Sequence, residues 1–283
     1  MLFRSWGRKM SKSLGNGIDA DSVLECGAGG RTATWKIKGP DSQVTLNANK
    51  IGSECFRLWK ACDAQVGDDF QINPEDIEKK YYGVLTKLFN VSRFESQFEI
   101  SSSLDEVPEQ LEIEDEWILS EFQHVLTKVS KAWNELDIYT ATQTLKGFGT
   151  GILPSHYLEM VKSRLYDDDA KAAWTIHRIV RDFMTLFSPI CPFFTHHISS
   201  VLYGQSAVEC DSIPQLQVQS FIEDPTRAAK LRALSNQIQE FNGMVWNAKK
   251  ESGLSLNQPI QSIVIPNELA AFTSTLVRMH NLE

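Results

Sequence analysis

The sequence predicts a mainly α protein, a helical bundle preceded by a small α+β piece, and three observations predict it. After about residue 72 the apolar residues recur at helical spacing rather than in alternation. Those stretches open at Asn-Pro, Asp-Pro or acidic runs and close at glycine or proline. Before residue 72 the strand signal is a pair of short β-prone runs around turn residues. With 283 residues, 42% of them hydrophobic, the chain has room for one large or two ordinary domains with a real core.

Residues 34–38 and 43–46 flank Gly39-Pro40-Asp41-Ser42 and read as a hairpin. Asn73-Pro74-Glu75-Asp76 supplies an N-cap, a first-turn proline and two acids, and Ile77, Tyr81, Val84, Leu85 and Leu88 follow on one face, so a helix spans about 74–98. A second helix, about 114–136, carries Ile118, Phe122, Val125, Val129 and Trp133. Helices at about 138–148 and 154–166 are separated by Gly147, Gly149, Gly151 and Pro154, which should break or kink the path. Asp167-Asp168-Asp169 open a helix to about residue 187 that Pro189 and Pro192 end, and a shorter one, about 193–203, stops at Gly204. Asp224-Pro225 caps one long helix over about 225–252, closed by Gly253. Residues 261–265 alternate like a strand, and a terminal helix starts near Asn267. No internal repeat is visible. The predicted boundaries are residues 1–72, 73–225 and 226–283, the last holding the long helix and the opening of a small α/β module.

The net charge of −8 argues against indiscriminate nucleic-acid binding but not against a local basic face. Residues 1–60 hold ten basic side chains against five acidic ones, whereas residues 99–116 hold eight carboxylates and no base, which reads as a solvated linker and helix start. The five cysteines are odd in number and form no C-x-x-C pair, so neither a disulfide framework nor a zinc ribbon is supported. No apolar run is long enough to span a bilayer, and no signal pattern is visible; the chain reads as cytoplasmic.

The run Arg8-Lys9-Met10-Ser11-Lys12-Ser13-Leu14-Gly15-Asn16 places three cations within five residues. They would repel one another unless a multivalent anion sits between them, and a polyphosphate is the natural candidate. A P-loop is excluded, because the nearby glycines, Gly7, Gly15 and Gly17, do not fit its spacing. The ordinary reading of such a run is a solvated lysine-serine turn.

Lys9-Met10-Ser11-Lys12-Ser13 matches letter for letter the KMSKS signature of class I aminoacyl-tRNA synthetases. Gly52-Ser53-Glu54-Cys55-Phe56-Arg57-Leu58-Trp59 resembles that family's tyrosine-glycine-alanine-aspartate…arginine-leucine-tryptophan segment. Gly67-Asp68-Asp69-Phe70 with Lys87-Leu88-Phe89-Asn90-Val91-Ser92-Arg93-Phe94 resembles the start of the anticodon-binding bundle of its valyl, isoleucyl and leucyl branch. His156-Tyr157-Leu158-Glu159-Met160 through Lys162, Arg164 and Tyr166, and Lys250-Glu251-Ser252-Gly253-Leu254, are similar to the valyl members of archaeal type. The likeness spans about residues 7–258. Residues 27–49 look like an insertion, and the family's histidine-isoleucine-glycine-histidine element and editing domain are not in the chain.

The resemblance implies a C-terminal fragment of a valyl enzyme. It comprises the loop that assists ATP-dependent valine activation, a connecting region and a bundle that reads tRNA(Val). Lys9 and Lys12 are the implied catalytic cations, and Lys9, Met10, Ser11, Lys12 and Ser13 the implied ATP-binding loop. The implied tRNA-binding residues are Lys79, Lys87, Asn90 and Arg93 on the first helix and His156, Tyr157, Lys162 and Arg164 on a second. ATP with magnesium and valine would be substrates of the full-length enzyme. The fragment is expected to be inactive alone and to hold no cofactor stably, with no metal ligands and no membrane, as a monomer whose partners are tRNA(Val) and, through the missing catalytic half, ATP and valine. An isoleucyl or leucyl fragment, or a free-standing non-catalytic tRNA-binding protein, is the alternative.

Overall fold

The computed structural model of the chain describes residues 3–5, 8–17, 23, 34–38, 43–47, 52–64, 70–100, 102–204 and 220–283. Its strands are β1 (Phe3–Ser5), β2 (Arg8–Lys9), β3 (Thr34–Lys38), β4 (Gln43–Asn47) and β5 (Phe70–Ile72). Its helices are α1 (Gly52–Asp63), α2 (Tyr82–Glu95), α3 (Ile113–Asn134), α4 (Ile138–Gly147), α5 (Leu158–Tyr166), α6 (Ala170–Phe187), α7 (Pro192–Tyr203), α8 (Pro225–Ala233), α9 (Ser235–Glu251) and α10 (Thr273–His280). The architecture is mainly α, as the sequence predicts. Two compact units form: one from Met1–Ser92, Val129–Lys146 and Phe183–Gln215, the other from Arg93–Lys128, Gly147–Asp182 and Leu216–Glu283.

In the first unit β1 pairs antiparallel with β2 and parallel with β5, giving the order β2-β1-β5. The expected hairpin is present, with β3 and β4 in antiparallel register from Thr34 opposite Asn47 to Lys38 opposite Gln43. Its turn and the rest of the 27–49 segment lie outside the described residues, as do residues 65–69. Helix α1 buries Cys55, Leu58, Trp59 and Cys62, a one-faced stripe at helical spacing. The Asn73 side chain accepts from the N–H of Glu75 at 3.1 Å, the predicted cap, and Pro74–Asp76 leads through a π-helical turn, Ile77–Tyr81, into α2. Tyr81, fully buried, donates its hydroxyl to the Asp63 carboxylate at the end of α1. Arg57, on the same helix, donates to the carbonyls of Ile190 (2.8 Å) and Pro189 (3.0 Å), and Glu54 accepts from the N–H of Phe194 (2.9 Å) in the first turn of α7.

The second unit is built round buried rings. Phe122 stacks between Phe148, at 5.3 Å, and Phe221, at 6.3 Å, and the Trp117 indole donates to the Ser235 hydroxyl at 2.8 Å. Residues of α6 lace down the acidic stretch before α3. Trp174 donates to the Ser103 carbonyl, Arg178 to that of Leu104 and Lys171 to that of Gln110, at 2.6–2.9 Å. Asp169 caps α6 by accepting from the N–H groups of Lys171 and Ala172, and Asp224 caps α8 by accepting from Thr226.

Three expectations are corrected. The glycines and Pro154 do not break the helical path. Phe148–Tyr157 is a π-helical segment that joins α4 to α5 without interruption. Glycines tolerate the wider turn, proline has no N–H to lose, and burial of Phe148, Leu153 and Tyr157 holds the segment in place. The single long helix over 225–252 is two helices, with Leu234 between α8 and α9. The turn aims Ser235 inward, where its hydroxyl accepts from Trp117 and donates to Glu121. Residues 261–265 form no strand. Ser262 sits at φ 63°, which ends the alternation, and the chain there has one bridge, Ile260 to Leu282.

Candidate nucleic-acid interface

The lysine-serine loop is a small hydrogen-bonded turn. Arg8 and Lys9 are exposed on β2, and Lys12–Leu14 forms one 3₁₀ turn. The buried Asn16 side chain clips the loop shut, accepting from the N–H of Ser11 (3.0 Å) and donating to the carbonyl of Lys9 (3.1 Å). The Ser11 hydroxyl lies 3.1 Å from that of Ser13 and accepts from the N–H of Leu14 at 3.3 Å, as expected of serines that bond their own loop. Gly15, at φ 64°, makes the reversal that brings Asn16 back to Lys9, a conformation that favours glycine. Met10 and Ser11 are half-buried and Ser13 is exposed.

Helix α2 turns a mixed face to solvent. Lys87, Asn90 and Arg93 are all exposed, and so are Tyr82 (40%) and Phe89 (43%). At 100° per residue Tyr82, Phe89 and Arg93 fall within about 40° of one another, with Thr86 and Asn90 beside them. Rings, an amide and a cation on one helix face are the groups that stack on unpaired bases, read their edges and neutralise phosphate, and Lys87 is exposed about 140° round from Tyr82. The sequence reading missed Tyr82 and Phe89, although a helical wheel drawn on the core stripe puts both outside it, on its flank. Lys79 is exposed too, but its ammonium is already 2.9 Å from Glu75.

The second set divides. Lys162 is exposed, 3.7 Å from Glu159. Arg164, Tyr157 and His156 are buried, which corrects their expected place on a tRNA-facing surface. Arg164 donates to Asp115 at 2.7 and 3.1 Å, to Glu114 at 3.0 Å and to Asp169 at 2.9 Å, and Tyr157 donates to Asp115 at 2.8 Å. Burial pushes the Asp115 carboxyl up to about 6, against the pull of Arg164 and Tyr157. Glu114 and Asp115, expected among solvated acids, are therefore core groups that consume the arginine. His156 is held below its ordinary range by burial and lies 3.0 Å from the Asn242 amide.

Among the described residues no group of three or more histidine, cysteine, aspartate or glutamate side chains could hold a metal ion, and no helix is long and apolar enough to cross a membrane.

Residues 115–265, more than half of the chain, match the family described as the anticodon-binding domain of tRNA ligase, and the chain belongs to that family. Most of its length is also similar to archaeal valine–tRNA ligases. That of Saccharolobus solfataricus is 33% identical over 261 residues, covering 89% of this chain and 30% of the relative. That of Aeropyrum pernix is 28% identical, covering 97% and 30%. The chain thus spans about 30% of the length of the curated relatives it matches. Among solved structures, the ternary complex of Agrobacterium radiobacter K84 agnB2 LeuRS with tRNA and LeuAMS aligns with a TM-score of 0.53 and 16% identity over 77% of this chain and 24% of that one, a likeness of fold.

Proposed function

We propose that the chain serves a valine–tRNA ligase as its anticodon-reading bundle together with the loop that assists valine activation. The observation that carries the reading is the solvent side of α2, where Tyr82, Phe89, Asn90 and Arg93 are exposed, with Lys87 exposed farther round the helix. On this reading tRNA(Val) lies against that face with its anticodon bases unstacked. In the full-length enzyme the carboxylate of valine attacks the α-phosphorus of ATP, held with magnesium. The bond to pyrophosphate breaks, and Lys9 and Lys12 bring positive charge to the departing pyrophosphate. The aminoacyl group then passes from the adenylate to a hydroxyl of tRNA, the acyl–phosphate bond breaks and AMP leaves. The clipped turn around Ser11 and Asn16 supports this role, since it presents a compact cationic loop without fixing the position of the Lys9 ammonium.

Titration of the chain with tRNA(Val) and with the same tRNA carrying a changed anticodon tests the reading. Tighter binding of the first is expected, and equal affinities would remove the anticodon assignment. In the full-length enzyme Lys12→Ala should slow adenylate formation far more than it weakens ATP binding, because the charge it meets is greatest in the transition state. Equal losses would assign Lys12 to ground-state binding. The isolated chain should not exchange pyrophosphate into ATP.

A further inference from the structure

A second feature of the second unit is built as a site. Behind the exposed end of α5 lies a cleft of about 510 Å³, lined by Pro154, Ser155, Lys162, Trp246, Asn257 and Met279. Its flat element is the half-buried indole of Trp246. Two buried histidine rings back that indole: His156 at 5.5 Å and tilted by 33°, and His280 at 5.9 Å and nearly edge-on. Burial holds both histidines below their ordinary range, and for His280 burial, then the nearby Lys249, lowers it to about 4.

The cleft walls are fixed from behind by buried polar groups. Asn242, fully buried, bridges His156 at 3.0 Å and His280 at 2.8 Å. Lys249, also fully buried, donates to the carbonyl of Leu256, itself part of the cleft wall, at 2.6 Å. It also donates at 2.7 Å to the carbonyl of His280, the residue after Met279. The Asn281 amide donates to the Asn257 carbonyl at 3.1 Å. A lysine with no carboxylate partner is an expensive core residue, and here it joins two walls of one cleft. Such a supporting shell is what holds a binding site in one geometry.

We infer that this cleft takes one unpaired nucleobase of an RNA chain, stacked on the Trp246 indole and held at its edge by Asn257 and Ser155. Charge favours a base over a bare phosphate. The lining's cation, Lys162, lies 3.7 Å from Glu159, one turn earlier on the same helix and also part of the lining, so the lining is near neutral. Flat apolar surface from Trp246, Pro154 and Met279 with amide and hydroxyl groups at the rim matches the two faces and the polar edge of a base. The volume lies in the range of a single small-ligand pocket. The inference rests on the tRNA reading above and adds a contact point away from α2.

The test uses the chain and a transcript of tRNA(Val), with 4-thiouridine replacing uridine for photocrosslinking. Crosslinks are expected in the tryptic peptide 233–249, which contains Trp246. Trp246→Ala should weaken binding five- to hundredfold, Trp246→Phe less than threefold because a ring remains, and the exposed Asn257→Ala about three- to tenfold. Trp246→Phe and Asn257→Ala keep the test decisive if Trp246→Ala fails to fold. Wild-type affinity in Asn257→Ala together with crosslinks elsewhere would overturn the cleft while leaving the tRNA reading standing. Failure of the wild-type chain to bind the transcript at all would remove both.

Discussion

Arg93 and Arg164 are both arginines in helices and were both expected to meet RNA, yet one is exposed and the other 6% exposed and bonded to three carboxylates. The difference lies in what each side chain faces rather than in its own helix. Arg93 looks outward from α2 among Phe89, Asn90 and Tyr82. Arg164 looks inward at the first turn of α3, where Glu114 and Asp115 would be stranded without it. A basic residue on a helix is thus a recognition group only when no acid from another element has already claimed it.

The largest expected effect breaks the inward side of that pair. Arg164→Ala should cost about 3–5 kcal/mol of stability, since it leaves two buried carboxylates without a counter-charge, and denaturant unfolding would show it. A loss below about 1 kcal/mol would mean the network does not hold the fold. Next comes the pH dependence of His280. Its lowered value means that above pH 6.5 neither folded nor unfolded chain takes the proton. Between 6.5 and about 4 the unfolded chain alone takes it, and stability falls by up to about 3 kcal/mol. Asp115 has the opposite sign. Its carboxyl, raised to about 6, is protonated first in the folded chain, which gains stability as pH falls from 6 towards 3.8. His280→Gln should therefore become more stable relative to wild type as pH drops from 6.5 to 4, and a constant difference would contradict a neutral buried His280.

The outward side should respond in binding alone. Arg93→Ala is expected to lose about 1–3 kcal/mol with tRNA(Val) and much less with an anticodon-changed tRNA, while stability moves by less than about 0.5 kcal/mol. Parallel losses with both tRNAs and a flatter salt dependence would instead assign Arg93 to phosphate. Smallest of all, Lys79→Ala should leave the denaturant midpoint almost unmoved, since its pair with Glu75 is solvent-exposed and screened. It should leave anticodon discrimination unchanged in the same titrations.

The helices were legible because their ends carry local chemistry. Asn73, Asp169 and Asp224 cap in the structure as their sequence positions predict, and Gly204, in the left-handed region, closes α7. What was not legible depended on partners distant in sequence. Nothing near Pro154 announces that burial of Phe148, Leu153 and Tyr157 overrides the break, and nothing near Arg164 announces Asp115, 49 residues away. The lysine-serine loop was read from its own letters, and its serine bonds followed, but the clip by Asn16 needed coordinates. Tyr82 and Phe89 could have been found, since the core stripe of α2 already fixed which side faced water.

Lys249 also has a topological meaning. By holding the carbonyls of Leu256 and His280 together on one ammonium it closes a ring of chain between them without a covalent bond. Such a closure restricts the chain on either side of it much as a crosslink would, by removing the arrangements in which the two strands of the ring wander apart. The last stretch of the described chain, irregular over 254–266 and helical only in short pieces, thereby shares one fate. Its members stay ordered or come loose together, according to whether that single charge keeps both of its carbonyls.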